Sequence, residues 1–257
     1  MPLDAVSPRG APIQGDGTGE SDWLASPRLR AVPVISLVQL IGDARRLVVV
    51  APHPDDEVLG CGGLIALAVE AGMEVRVVAL SDGEAAYPDD PHWNGQRLAP
   101  ARRAELIDAC RALGVSPAKI VHAGLPDGRL RAHLDKAAQL LAGLVQAGDA
   151  VLVTWARDGH PDHEAAADAT LRACAQVGAR CIQYPIWAWH WGDPRQPAFL
   201  EGAAARLPLP QAAWDAKQRA LACFATQTGH CTPAPAQPIL PAHVLVRFGR
   251  DFELLLP

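Results

Sequence analysis

The sequence predicts an α/β fold, namely a Rossmann-like three-layer domain with a mostly parallel sheet and a C-terminal β-hairpin. From Arg46 onward, short runs rich in Val, Ile and Leu alternate with longer segments of helical period. Strands that are apolar throughout are buried on both faces, and their alternation with helices is typical of βαβ units around a parallel sheet. The 257 residues, of which 49% are hydrophobic, are enough for one large core.

The elements are expected in a simple order along the chain. Residues 1–27, rich in Gly, Pro, Ser and Asp without a period, are expected to form a flexible N-terminal arm, and residues 28–257 a single domain. The alternating strands and helices of that domain are RLVVVA, EVLGCGGLIALAVEAG, EVRVVAL, APARRAELIDACRALGV, KIVHAG, HLDKAAQLLAGLVQAG, DAVLVTW, HEAAADATLRACAQVGA and RCIQYPIW. A helix is expected near QAAWDAKQRALACFATQ, and AHVLVRF and DFELLL around GR predict the hairpin at a sheet edge.

Composition argues against several classes of partner. The net charge is −5 and no block of basic residues is present, so nucleic acid and anionic membranes are disfavoured. No apolar run approaches the roughly 18 residues of a membrane-spanning helix. The N-terminal residues lack the apolar core of a signal peptide, and six cysteines are scattered without C-x-x-C spacing. We therefore expect free thiols and a cytoplasmic location.

Two loops that follow predicted strands carry the residue types of a metal site. HPDDE at 53–57 follows the first strand, and HPDH at 160–163 follows DAVLVTW. Ligands bind such sheets at the carboxyl ends of the strands, so the two loops are expected to meet there. A catalytic divalent metal takes three imidazole or carboxylate ligands and keeps one position open for water. His53, Asp56 and His163 are therefore the predicted ligands.

Residues beside these ligands have the chemistry of an acid-base centre. Asp55 is predicted as the general base, because a carboxylate beside metal-bound water can take its proton. His160 is predicted to stabilise an oxyanion as a protonated imidazole, with Asp162 as the carboxylate that favours the charged ring. Alone, the first motif could equally be a turn in which an aspartate caps the next helix, and the second motif decides for a metal.

The motifs also match a known family in their order along the chain. APHPDDEVLGCGG, VVALSDGEA, RRAELIDACRALGV, GLPDG and HPDH follow one another from about residue 47 to 170, with a weaker match through AKQRALACFATQ. Together they resemble the LmbE/PIG-L family of zinc-dependent N-deacetylases, which remove acetyl groups from N-acetylglucosaminyl conjugates. The resemblance implies an LmbE-like fold, the same three metal ligands, Asp55 as the base and His160 as the oxyanion or leaving-group partner.

The resemblance further implies substrate contacts. At matching positions, Arg102 and Asp127 are implied to contact sugar hydroxyls. By their residue types alone, Arg102 is typical of a solvated helix face and Asp127 of a turn. Some family members carry a tyrosine shortly before the second motif, where this chain reads WARDG. Neither Arg157 nor Asp158 is an obvious substitute for that tyrosine.

The segment PIWAWHWGDP carries alternating tryptophans. In an extended segment Trp187, Trp189 and Trp191 would share one face, at the carboxyl edge of the sheet. Two interpretations remain open: the rings wall the substrate pocket, or they pack into the core or a subunit interface. His190 and Asp193 favour the pocket, because polar side chains are costly in a dry core.

The predicted function is a metal-dependent hydrolase that removes an N-acetyl group from an amino-sugar conjugate of the N-acetylglucosaminyl type. Asp55 would assist the attack of metal-bound water. Zn2+ is the expected ion, and the ligand set also suits Fe2+. The expected partner is the small-molecule conjugate, and whether the protein forms a homo-oligomer stays open. The rival hypotheses are a catalytically silent sugar- or metal-binding protein on the same fold and a hydrolase of another small amide. A complete ligand set beside a free base favours the enzyme.

Overall fold

A five-stranded parallel sheet forms the centre of the protein. The structure is a computed structural model that describes residues 15–257. The strands of the sheet are β1 (Arg46–Ala51), β2 (Glu74–Ala79), β3 (Ile120–His122), β4 (Ala150–Thr154) and β5 (Arg180–Tyr184). They lie in the order β3-β2-β1-β4-β5, and each neighbouring pair is parallel. The strand order therefore reverses direction between β1 and β4, which is where ligands bind in such sheets.

Helices cover both faces of the sheet and produce three layers, as the sequence predicts. The helices are α1 (Glu20–Ala25), α2 (Pro27–Arg30), α3 (Leu37–Ile41), α4 (Asp56–Glu70), α5 (Gly95–Ala112), α6 (Leu134–Leu144), α7 (Pro161–Val177), α8 (Ala188–Trp191), α9 (Gln211–Leu221), α10 (Ala225–Thr228) and α11 (Ala242–Leu245). Along β1, Leu47 and Val49 face a core shared with α4, α5 and α9. Val48 and Val50 face a second core shared with α6 and α7. The α/β fold class is confirmed.

The helix after β1 is broken and then capped by a distant side chain. α4 begins at Asp56, and its backbone leaves the helical conformation at Cys61, where φ is −147° and ψ is 26°. Beyond the break, the N–H groups of Gly63 and Leu64 donate to the carboxylate of Glu253 at 2.7 and 2.8 Å. These bonds satisfy N–H groups that a new helical start would otherwise leave unpaired. Glu253 therefore stabilises the part of α4 that follows the break.

The C-terminal antiparallel pair is not the predicted hairpin. β6 (Ala205–Pro208) pairs with β7 (Phe252–Leu255), so the partner strands are far apart in the sequence. The segment AHVLVRF forms α11 and a 3-10 turn instead of the first hairpin strand. Its β-branched residues suggested a strand, but Pro241 directly before it is well suited to a helix start. Leu256 exchanges backbone bonds with Gln183, which attaches this pair to the β5 edge.

The second half of the predicted N-terminal arm is packed against the domain. Trp23 of α1 is fully buried, and its indole N–H donates to the carbonyl of Trp189 at 2.8 Å. Arg250 forms two bonds to the carboxylate of Glu20, at 2.7 and 2.5 Å. A fully buried indole holds this segment in place, because its release would expose a large apolar surface. The first half of the predicted arm, residues 1–14, lies outside the described residues.

Two further sequence expectations concern the chain as a whole. All six cysteines are free thiols, as predicted. Within residues 15–257, no helix is both long and apolar enough to pass through a lipid bilayer. The thiols of Cys61, Cys110 and Cys174 are buried.

Candidate metal centre

The two histidine loops meet at the carboxyl edge of the sheet. β1 and β4 are adjacent and parallel, so the loops that follow Ala51 and Thr154 leave the sheet side by side. The first loop supplies His53 and leads into Asp56, while the first turn of α7 supplies His163. The prediction that the two motifs converge is therefore confirmed.

Asp56 lies between the two histidines. Its Oδ2 is 3.2 Å from Nδ1 of His53 and 3.3 Å from Nε2 of His163. The three side chains are buried, and one ligand atom from each lies within 4.8 Å of the others. Two nitrogens and one oxygen at this spacing suit three ligands around a single ion.

The chemistry of these atoms also fits a divalent cation. Nε2 of His163 is buried and has no hydrogen-bond partner among the described residues. A buried polar atom without a partner is destabilising, and a bound metal ion would supply that partner. Burial raises the pKa of Asp56, but the neighbouring His163 and His53 outweigh burial and lower it to about 2. Asp56 is therefore a carboxylate at neutral pH, as a metal ligand must be.

His53 is held by a second carboxylate on its other nitrogen. Nε2 of His53 is 3.1 Å from Oδ1 of Asp127, whose Oδ2 accepts the backbone N–H of Ala85 at 2.8 Å. Burial opposes the protonated ring, but Asp127, Asp162 and Asp56 raise the pKa of His53 well above its ordinary value. A divalent cation would balance the negative charge of these three carboxylates. Both oxygens of Asp127 are engaged, and its predicted contact with a sugar hydroxyl stays a prediction.

His163 has a carboxylate partner that the sequence pattern did not suggest. Its Nδ1 is 2.7 Å from Oδ2 of Asp158, and both side chains are fully buried. A carboxylate oxygen accepts, so Nδ1 carries a proton, and Nε2 is the ring nitrogen that faces Asp56. Carboxylates in this position orient metal-binding imidazoles.

Asp55 is directed by a buried arginine. Its φ of 138° is rare for a residue with a side chain. Oδ2 of Asp55 accepts from Nη2 of Arg102 at 2.9 Å, and Arg102 also donates to the carbonyls of Pro54 and Gly83. Burial raises the pKa of Asp55 to about 7, against the opposing charge of Arg102. The geometry makes Arg102 a support for Asp55, and its predicted sugar contact stays a prediction.

His160 caps α7 and is not paired with the carboxylate of Asp162. Its Nδ1 accepts the backbone N–H of Asp162 at 3.2 Å, which leaves Nε2 to carry the ring proton. Burial, together with the charges of His163 and His53, lowers the pKa of His160 well below its ordinary value. This shift and the N–H that Nδ1 accepts favour a neutral ring that can donate from Nε2, and the predicted role of His160 at the oxyanion stays a prediction.

The carboxylate of Asp162 accepts hydrogen bonds from the loop after β3. Its two oxygens accept the backbone N–H groups of Gly128 and Leu130 at 2.7 and 3.0 Å. The expectation that this carboxylate charges His160 is wrong, because two amide donors of the neighbouring loop take its oxygens. Asp162 thereby fixes the loop that carries Asp127.

Proteins of related sequence identify the family. The model of the PIG-L family, described as GlcNAc-PI de-N-acetylase, matches residues 48–174. A 1D-myo-inositol 2-acetamido-2-deoxy-alpha-D-glucopyranoside deacetylase from Streptomyces avermitilis is 31% identical over 198 residues, which cover 65% of this chain and 67% of the relative. The chain belongs to the PIG-L family.

Further comparisons agree with this PIG-L assignment. A second deacetylase named for the same substrate, from Catenulispora acidiphila, is 30% identical over 210 residues, which cover 72% of this chain and 64% of the relative. The fold is similar to that of N,N'-diacetylchitobiose deacetylase from Pyrococcus horikoshii, with a TM-score of 0.56, 23% identity, and 73% and 72% of the two chains covered. The chain spans between 48 and 67% of the length of the curated relatives that it matches.

The tryptophan segment of this PIG-L protein is helical and not extended. Ala188–Trp191 forms one helical turn, so the alternating rings do not share one face. Trp189 packs edge-on against Trp23 and Phe199, with ring centroids 5.0 and 4.7 Å apart. It is 4% exposed, and this places it in the core. A pocket role for Trp189 therefore has no support in its surroundings.

Trp191 has different surroundings from Trp189. Its ring lies so close to Gly159 that a Cβ there would be 2.8 Å from the indole, and Gly159 directly precedes His160. His190, which favoured a pocket because of its polarity, has a polar neighbour of its own, Nη1 of Arg247 at 3.2 Å. Trp191 is thus the tryptophan of α8 that contacts the loop leading into His160 and His163. The substrate-binding roles of all three rings stay predictions.

The segment WARDG, where the resemblance implied a tyrosine in some family members, makes other contacts. The side chain of Arg157 is 67% exposed and lies over the ring of Trp155. Asp158 turns inward to His163, which makes it the site residue that the sequence pattern missed. The signal that could have found it is an aspartate in the loop five residues before a ligand histidine.

Proposed function

We propose that this protein is a metal-dependent hydrolase that removes an N-acetyl group from an amino-sugar conjugate. The observation that carries the proposal is the buried set of His53, Asp56 and His163 with the carboxylate of Asp55 beside it. A ligand set needs no base in order to bind an ion, so the presence of Asp55 supports catalysis. Membership of a deacetylase family supports the same reaction class.

The surrounding residues can divide the proton transfers of amide hydrolysis between them. A divalent ion held by the three ligands supplies a Lewis acid that polarises the acetyl carbonyl and makes water more acidic. Arg102 holds Oδ2 of Asp55, and Oδ1 would take the proton of the attacking water. The same group can return that proton to the leaving amine. Nε2–H of His160 is a donor for the oxygen that becomes negative.

The proposed ion is Zn2+, with Fe2+ as the alternative. Two imidazoles and one carboxylate form a set that both ions accept in catalytic sites. No described residue adds a thiolate to the set, since its members are two histidines and an aspartate. Metal analysis of the purified protein would decide between the two ions.

The proposed substrate class is an N-acetylglucosaminyl conjugate. Both curated relatives described above are named for a 2-acetamido-2-deoxy-glucopyranoside that is joined to an inositol. The acetamido sugar is the part that a deacetylation site must accommodate, and it supports the class without identifying the carrier. A cytoplasmic location is part of the proposal and is supported by the six free thiols.

The test is a screen of N-acetylated amino-sugar conjugates for released amine, with Zn2+-loaded protein. Free N-acetylglucosamine and simple acetanilides belong in the same screen, because they report a hydrolase of other small amides. Release from a sugar conjugate that stops in the Asp55→Asn variant supports the proposal. Binding of the conjugates without amine release, by fully metal-loaded protein, would favour the silent binding protein.

A further inference from the structure

We propose that Asp158 is a positioning residue that holds the ring of His163 with Nε2 toward the ion and ties this ring to the backbone at 186–188. The inference rests on the proposed function only for the identity of the three metal ligands. Nothing in the motif HPDH itself requires this residue, since Asp158 stands two residues before His160.

The contact with His163 determines which ring nitrogen is free. Oδ2 of Asp158 is 2.7 Å from Nδ1, and neither side chain is exposed. Rotation of the ring by half a turn would move Nδ1 away from the only carboxylate that it contacts within hydrogen-bond distance among residues 15–257. The bond therefore selects the orientation in which Nε2 faces Oδ2 of Asp56 at 3.3 Å.

Asp158 is itself held by three consecutive backbone donors. Its Oδ1 accepts the N–H groups of Ile186 and Ala188 at 2.8 and 3.0 Å, and its Oδ2 accepts the N–H of Trp187 at 2.9 Å. With His163, four donors converge on one buried carboxylate. Such a group has little freedom to rotate, so the ring that it holds is fixed as well.

A purely structural role for Asp158 is the competing explanation, and the chain contains a matched control. Asp149 is also a buried aspartate beside β4, but it lies at the opposite end of the strand from the metal loops. Its Oδ2 accepts the backbone N–H of Gln146 at 2.7 Å and pairs with Arg46 at 2.6 Å. Replacement of Asp149 should disturb the fold to a similar degree without reaching His163.

The first experiment measures Zn2+ affinity of the full chain by competition with a chelator, for Asp158→Asn, Asp149→Asn and the unchanged protein. Asparagine keeps the size of aspartate but lacks its charge. We expect about ten- to a hundredfold weaker Zn2+ binding for Asp158→Asn, the usual effect of losing a group that supports a ligand. We expect no change for Asp149→Asn. Unchanged affinity in Asp158→Asn, or an equal loss in both variants, overturns the proposal.

The second experiment reads the ring directly and needs neither metal nor substrate. Nitrogen-edited NMR of histidine-labelled apoprotein should show the Nδ1–H of His163 in a hydrogen bond to a carboxylate, and the loss of that bond in Asp158→Asn. The same Nδ1–H signal in both proteins overturns the proposal. Failure of the proposed function would look different, because no conjugate would be deacetylated while Zn2+ affinity and the Nδ1–H signal of His163 were as expected.

Discussion

Nη2 of Arg102 lies 2.9 Å from Oδ2 of Asp55, and this contact joins α5 to the loop that carries the candidate ligands. Both side chains are buried, with 3% and 7% of their surface exposed. Arg102 also donates to the carbonyl of Pro54, so it holds the backbone before Asp55 as well as its carboxylate. The direction of the candidate base is therefore set by a residue from another element.

Replacement of Arg102 by lysine should lower kcat by roughly ten- to a hundredfold, the scale seen when a supporting group is lost. Lysine keeps the charge but cannot form the fork that bonds the carboxylate and two carbonyls at once. Metal content, measured by elemental analysis, should stay at the level of the unchanged protein. Arg103→Lys is the control, because Arg103 is half-exposed and bonds Asp82 instead. A kcat equal in both variants would show that Asp55 needs no such support.

Replacement of Asp55 by asparagine should separate the base from the ligands. The amide keeps the shape of the side chain but cannot take a proton, so turnover should fall by a factor of roughly 100 or more. The metal content should remain unchanged. Both quantities are measured on one preparation, by amine release and by elemental analysis. Turnover that survives the change would mean that another group accepts the proton.

Replacement of His53 and His163 by alanine should remove the ion. Each ligand comes from a different loop, so either single change should lower Zn2+ content and abolish amine release together. His122→Ala is the control, because His122 also ends a strand at this edge of the sheet but is not part of the ligand set. A double variant that still binds one equivalent of Zn2+ would disprove the ligand assignment.

The tryptophans of α8 should differ in their effects. Trp189→Ala should lower the free energy of unfolding by roughly 3–5 kcal/mol, as expected for a large aromatic residue removed from a core. Trp191→Ala should raise KM for the true substrate and leave the metal content intact, because its ring borders the second metal loop. Urea unfolding and steady-state kinetics of both variants are the measurements. If Trp191→Ala changes stability alone, the ring is part of the core.

The features that the sequence predicts well are local and repetitive. The parallel sheet follows from apolar runs such as RLVVVA, whose residues alternate between two cores. The position of the HPDDE and HPDH loops follows from the strand that precedes each of them. Once both strands are parallel neighbours, His53 and His163 must lie at the same edge. These inferences need only the period of the pattern and the geometry of βα units.

The features that the sequence predicts poorly depend on partners that lie far away in the chain. The strand partner of β7 is β6, more than forty residues earlier, and no turn signal marks that pairing. Trp187 and Trp189 alternate as in a strand, but the backbone beside them turns because Asp158 binds three consecutive N–H groups. Asp162 stands two residues after His160 in sequence, yet its carboxylate binds another loop. Which donors such a carboxylate binds depends on loops that are brought near it only by folding.

The packing of α1 connects the beginning of the described chain to the backbone that holds Asp158. The indole of Trp23 bonds the carbonyl of Trp189, in the same turn whose neighbouring N–H groups hold Asp158. Proteolysis that removed this helix would uncover Trp189 and loosen the backbone behind Asp158. We expect such a trimmed protein to lose Zn2+ bound at the proposed site faster during dialysis than the full chain, although both histidine motifs would be intact.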